Sequence, residues 1–205
     1  MNRRILSAFV TNLGKYTEGE LVGKWVDFPI TDGELKTVLQ EIGIDGIRYE
    51  EIFFTDYESD IAGLTACLGE YESISLLNCL AMKLEESGCD TEELAAMIES
   101  GEYTGSIEEL ITLADNTDCY MVYRDIQDDS DLGYYFIEET GLLQEWKSSG
   151  NPLARYIDYE AYGRDVRLEQ GGIFTEGGCY VALVDTPVEY TRADLQELYS
   201  SGLAA

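Results

Sequence analysis

An α+β chain built from three successive units is predicted from three observations. Short β-type apolar runs lie towards both ends of the 205 residues, helix-period patterns separated by polar caps and glycines fill the centre, and no long linker intervenes. The units are an N-terminal α+β domain over 1–60, a helical middle domain over 61–118, and a C-terminal α+β domain over 119–205, packed end to end. With 45% hydrophobic residues the chain can bury one core or two to three small ones.

In the first unit Ile5 to Val10 and Leu21 to Phe28 read as strands flanking the loop Asn12 to Gly19. Thr31 and Glu34 then form a capping box, Leu35, Val38, Leu39 and Ile42 recur at helical spacing, and Gly43 stands where such a helix stops. Glu50 to Asp56 reads as a third strand with Ile52 and Phe54 on one face. In the middle unit Ser73 opens a helix through Leu76, Leu77, Leu80, Ala81 and Leu84 to Gly88. Asp90 and Glu93 open a second, through Leu94, Met97 and Ile98 to Gly101, and Ser106 and Glu109 a third, through Ile107, Leu110, Ile111 and Ala114. The third unit holds a strand at Cys119 to Tyr123 and a helix at Leu132 to Thr140 ended by Gly141. A helix from Asn151 and Pro152 to Gly163 follows, then a hairpin of Arg167 to Phe174 with Cys179 to Val184 across Thr175 to Gly178, and a last helix capped by Thr191 and Asp194 and ended by Gly202.

Charge is the outstanding property. Thirteen Lys and Arg against 41 Asp and Glu leave a net charge of −28, and the acids are interleaved with Leu, Ile, Val and 15 Tyr, so they belong to a folded surface. Such a surface repels nucleic acid and attracts a basic partner. By units the net charge is −6, −12 and −10, and only Lys83 opposes the acids of the middle one. At one charge per roughly 1.7 Å of duplex axis, 28 charges match about 48 Å of DNA, longer than the roughly 43 Å diameter of a compact globule of this size. An array spaced like DNA therefore requires an elongated shape. The ordinary alternative is a surface kept acidic for solubility or salt adaptation.

Other chemistry is poorly provided for. There is no histidine, and the five cysteines, Cys67, Cys79, Cys89, Cys119 and Cys179, form no CxxC pair, which argues against a zinc site or a disulfide framework. Neither metal nor cofactor is expected. The acid pairs Glu50-Glu51, Asp128-Asp129 and Glu138-Glu139 are what so many carboxylates produce by chance, and QDDSDL (127–132) lacks the glycine and the twelfth-position glutamate of a calcium loop. Arg3-Arg4 leads into only six weakly apolar residues, too few for a signal peptide or membrane span, which points to a cytoplasmic protein away from membranes. The tyrosines are expected mainly in the core.

Several strings carry a resemblance. NLGKYTEGELVGKWVDFPI (12–30), TDYE (55–58), YFIEETGLL (135–143) and YIDYEAYGRDVRLEQGGIF (156–174) are long, nonrepetitive and in order, and they resemble the ArdA anti-restriction family. The resemblance implies an elongated three-domain protomer, two small α+β domains flanking a helical one, that forms a homodimer through its C-terminal domain as a curved rod like bent DNA. It implies no enzyme, but a DNA mimic that binds the specificity and methyltransferase subunits of type I restriction-modification enzymes and blocks cleavage and often methylation, of a kind typically encoded on mobile genetic elements. The carboxylates expected to stand in for phosphates are Glu18, Glu20, Asp56, Glu58 and Asp60 in the first unit. In the second they are Glu70, Glu72, Glu85, Glu86, Glu92, Glu93, Glu99, Glu102, Glu108, Glu109, Asp115 and Asp118, and in the third Asp125, Asp128, Asp129, Asp131, Glu138 and Glu139. The rival readings are an acidic mimic aimed at another DNA-binding protein, such as a nucleoid protein, a small acidic enzyme, and a salt-adapted interaction domain. GELVG (19–23) and AYGRD (161–165) read as turn and packing motifs, without assigned chemistry.

Overall fold

The computed structural model describes residues 4–141, 143, 144, 148, 150, 152 and 156–200, with backbone alone at 198–200. The first sheet comprises β1 (Leu6–Asn12), β2 (Gly23–Phe28) and β3 (Ile52–Glu58) in the order β2-β1-β3, both pairings antiparallel. The loop expected at 12–19 contains a short helix, α1 (Leu13–Thr17). Asn12 caps it by accepting the Lys15 N–H, and its amide also donates to the Ile42 carbonyl across the unit, a long-range tie that local reading misses. Helix α2 (Asp32–Glu41) has the expected capping box of Thr31 and Glu34 and ends at Gly43 with φ +80°. Phe54 enters the main core as alternation predicts, while its neighbour Phe53 is also buried, on the opposite face of the sheet, beneath the rings of Tyr16 and Tyr71.

The central helices α3 (Ile74–Glu86), α4 (Thr91–Glu99) and α5 (Ile107–Asp115) begin at the expected caps, and the glycines after α3 and α4, Gly88 and Gly101, have positive φ. β2 rests on α3, α3 on α5, and α4 on the second sheet. That sheet contains β4 (Tyr120–Arg124), β5 (Ile173–Phe174) and β6 (Cys179–Leu183) in the order β4-β6-β5. Along β6, Cys179 and Val181 enter the main core on the α4 side, while Tyr180 and Ala182 enter a second cluster with Ile126 and Leu132. The period of two thus buries both faces. The main core is continuous from Ile5 to Leu195, so the three stretches share apolar contacts.

The third unit departs from expectation in three places. α6 (Asp129–Tyr134) starts earlier than Leu132 because Asp128 caps it, and it continues as a π turn over Tyr135–Glu139. Of the helix expected at 151–163, residues 151 and 153–155 lie outside the described residues; α7 (Tyr159–Gln170) starts at the Asp158 cap and runs through Gly163. Arg167 to Gln170 are therefore helical, and the hairpin strand shrinks to Ile173–Phe174. Gly163 packs rather than stops. A Cβ there would lie 1.8 Å from the Asp129 carbonyl oxygen, and one at Gly133 would lie 1.8 Å from that of Tyr159, so α6 and α7 cross backbone to backbone.

The chain then returns to the middle unit. α8 (Arg192–Ser200) places Leu195 in the main core, and its Thr191 cap bonds Asp194 as expected; Gly202 lies outside the described residues. Two asparagines clip neighbouring segments to the central helices. Asn78 on α3 accepts the Ile30 N–H at 2.8 Å and donates to the Ile30 carbonyl at 2.9 Å, and Asn116 after α5 accepts the Val188 N–H at 2.9 Å and donates to the Val188 carbonyl at 3.3 Å. Asn116→Ala leaves the Val188 N–H without its side-chain acceptor and is expected to cost about 1–3 kcal/mol, read as a lower urea midpoint at unchanged m-value.

Candidate acidic interface

None of the carboxylates named above is buried. Glu72, Glu93, Glu108, Asp129 and Glu138 are half-buried and the rest exposed. They differ in how they are held. In the first unit Glu18 accepts the Tyr49 hydroxyl at 2.8 Å and pairs with Arg48 at 2.7 Å, and these bonds, the tyrosine first, hold its pKa below the ordinary value. Glu58 pairs with Arg4, whose backbone N–H donates to Asp60 at 2.7 Å, and Asp56 accepts the Tyr57 N–H at 2.9 Å. Glu20 has no partner among the described residues.

In the middle unit Glu72 and Glu109 accept the backbone N–H of Gly69 and Gly105, Glu93 completes the cap of α4, and Glu99 accepts the Glu176 N–H. Lys83 lies 2.7 Å from Asp115 and 3.7 Å from Glu86. It is not the sole cation serving this unit, which corrects the sequence reading. Arg124, at the end of β4, reaches Asp90, Glu92 and Glu93, and Arg192 reaches Glu108 at 3.6 Å. Glu70, Glu85, Glu102 and Asp118 have no partner among the described residues.

In the third unit Asp128 and Asp131 hold the start of α6, by accepting the Asp131 and Gln127 N–H groups. Two of the three QDDSDL carboxylates are thus helix-end acceptors. Asp129 takes a two-point bond from Arg167, at 2.7 and 3.2 Å, which lowers its pKa. Glu138 accepts the Tyr159 hydroxyl, and Asp125 and Glu139 have no partner among the described residues.

Tyrosine has a second role besides packing. Tyr120 and Tyr180 are buried as expected, and desolvation pushes the Tyr180 phenol up to about 12. Tyr49, Tyr103, Tyr159 and Tyr190, however, donate hydroxyls to Glu18, Glu189, Glu138 and Asp115. A neutral donor fixes a carboxylate while leaving its charge in place, as an arginine would not. Glu18 and Asp115 are also bound by Arg48 and Lys83, so the uncompensated negative charge on the three units rests chiefly on the unpartnered acids named above.

The Asp129–Arg167 bond gives a pH prediction. A carboxyl whose folded pKa lies below its ordinary 3.8 stabilises the fold above that pH, and the contribution is lost as pH falls through the folded value. Arg167→Gln is therefore expected to cost about 1–3 kcal/mol at pH 7, and urea titrations should show the gap from the wild type narrowing at pH 3 and below.

Among the described residues the carboxyls of Glu18, Glu34, Asp45, Asp90, Asp129 and Asp194 are held below their ordinary pKa by hydrogen bonds to their charged form. Among the described residues no group of three or more His, Cys, Asp or Glu is arranged to hold a metal, and no helix is long and apolar enough to cross a membrane. No disulfide joins Cys67, Cys79, Cys89, Cys119 and Cys179. The model of the antirestriction protein family ArdA matches residues 8–181. The chain belongs to the ArdA family. None of the individually curated proteins compared with it is a match.

The ArdA match places the quoted strings in the structure. GELVG turns at Gly19, with φ +90°, and closes at Gly23, where a Cβ would come within 2.5 Å of the Phe9 ring and 2.7 Å of the Val10 carbonyl oxygen. AYGRD carries the helix-crossing Gly163. Both are packing motifs, as read from the sequence. The segment after residue 181, beyond the ArdA match, supplies the return to α5 through Val188, Tyr190 and Arg192.

Proposed function

We propose that this ArdA-family protein is a DNA mimic that occupies the DNA groove of type I restriction-modification enzymes, against their specificity and methyltransferase subunits, and blocks cleavage and methylation. The observation that carries the reading is the exposed set Glu20, Glu70, Glu85, Glu102, Asp118, Asp125 and Glu139, without partners among the described residues and spread from residue 20 to residue 139 of an antirestriction protein. In the complex these carboxylates meet Lys and Arg that otherwise hold phosphates, and no catalytic step is involved.

An extended shape suits this task, and the order of contacts supports it: β2 meets α3, α3 meets α5, and α4 meets the second sheet. The three domains of the sequence reading are then segments of one rod, and pairing through the C-terminal domain doubles its length. A cytoplasmic site of action follows from the target, and carriage on a mobile element from the advantage of protecting incoming DNA.

The tagged protein should retain a type I methyltransferase core on a column and leave a nucleoid protein of equal basicity in the flow-through. The reverse preference would favour the rival reading, a mimic directed at another DNA-binding protein.

A further inference from the structure

The first sheet buries one face in the main core and carries aromatic rings on the other. Leu6, Ala8, Val10, Val26, Phe28 and Phe54 enter the main core, whereas Phe9, Trp25 and Phe53 stand outside it. Phe9 and Trp25 face each other across β1 and β2 with ring centroids 5.6 Å apart, and the Phe9 ring also lies over Gly23. Two residues further along β1, Thr11 is opposite Phe53, which is covered by Tyr16, edge-on at 5.0 Å, and Tyr71, stacked at 6.0 Å. Phe53 is 5% exposed, but the rings beside it remain open to solvent, Tyr16 at 50% and Tyr71 at 69%, as does Trp25 at 40%.

Exposed apolar residues scattered singly are ordinary; two ring clusters on one sheet face, Phe9 with Trp25 and Phe53 with Tyr16 and Tyr71, mark a contact surface. These rings are bordered by acids. Glu51 immediately precedes β3, two residues before Phe53, and Glu70 adjoins Tyr71, both exposed and without a side-chain partner among the described residues; Asp27, which accepts the Ser7 hydroxyl, lies two residues after Trp25 on β2. Flat π faces edged with carboxylates are complementary to a guanidinium, which stacks through its plane and donates through its edge. An ammonium, as a compact hydrated charge, gains less from the same surface.

We infer that this face receives arginine side chains of the protein partner, stacked on Tyr71 and Trp25 with their N–H groups turned to Glu51, Glu70 and Asp27. The inference rests on the reading above, that the partner presents a basic DNA-binding groove, and adds that this part of the surface distinguishes arginine from lysine. A lattice of charges alone does not.

The test uses the full-length protein and two probes, nona-arginine and nona-lysine, titrated calorimetrically at the same ionic strength. The wild type is expected to bind nona-arginine at least about fivefold more tightly. The double variant W25A/Y71A should bring the two peptides within about twofold of each other, and W25F/Y71F, which retains the rings, should keep the preference. Both residues lie outside the core, so an unchanged thermal midpoint checks that the fold is intact. Equal affinity of the wild type for the two peptides, or a preference that survives in W25A/Y71A, overturns the inference. Failure of the methyltransferase column experiment instead overturns the functional reading, because the peptide titration involves no enzyme.

Discussion

Gly163→Ala is expected to destabilise the protein by about 3 kcal/mol or more, the upper end of what overpacking costs, and to lower the thermal midpoint by roughly 6–12 °C for a chain of this length. The added methyl would sit 1.8 Å from the Asp129 carbonyl oxygen and 2.6 Å from the Gly133 nitrogen, and neither is the end of a flexible side chain that can swing away. α6 and α7 must then separate, and with them the Asp129–Arg167 bond that joins them. Gly33→Ala supplies the opposite sign. Gly33 lies within α2 with nothing within 4 Å of its added Cβ, so alanine should stabilise the helix by about 0.5–1 kcal/mol. Equal midpoints for Gly163→Ala and the wild type would contradict the backbone crossing.

The second large effect concerns binding. Replacing Glu20, Glu70, Glu85, Glu102, Asp118, Asp125 and Glu139 together by their amides removes seven charges and changes the net charge from −28 to −21. An exposed ion pair contributes roughly 0.5 kcal/mol, so any one substitution should weaken inhibition about twofold, while all seven should weaken it by roughly 3.5 kcal/mol, or about 400-fold. The fold should not suffer, since these side chains hold nothing among the described residues and their removal relieves mutual repulsion. Inhibition of cleavage, measured beside a urea titration of the same variant, separates the two effects. A single substitution that abolished inhibition would show a local site in place of a distributed one.

What could be read from the sequence was local. The capping boxes at Thr31/Glu34 and Asp90/Glu93 and the stops at Gly43, Gly88 and Gly101 lie where they were read, because each is a hydrogen bond or a backbone torsion settled within a few residues. Gly163 was misread for the same reason. Locally a glycine at the end of an apolar stripe reads as a terminator, whereas its reason lies 30 residues away at Gly133. Arg167 could not be assigned to Asp129 while it was placed on a strand, and α1 is too short to declare itself without the tie from Asn12 to Ile42.

The same division applies to the acidic surface. Its size is evident from composition, and the ArdA strings point to its use, but which carboxylates are free depends on contacts between distant segments. Arg124 takes up Asp90, Glu92 and Glu93 from 30 or so positions away, and Arg192 takes up Glu108. The aromatic face of the first sheet was missed because Tyr16, Phe53 and Tyr71 come from three elements with no common period. Its one sequence signal is Phe9 and Trp25 on paired strands.

The central claim is that carboxylates of this protein take the place of phosphates in an enzyme's DNA groove. The most direct test is competition with a duplex oligonucleotide for a purified type I methyltransferase core, followed by fluorescence anisotropy of the labelled DNA over a range of salt concentrations. The account predicts full displacement of the duplex with a one-site isotherm, and an affinity that falls steeply with added salt, as it does for DNA itself. Binding of protein and duplex to the core at the same time, or an affinity indifferent to salt, would contradict it.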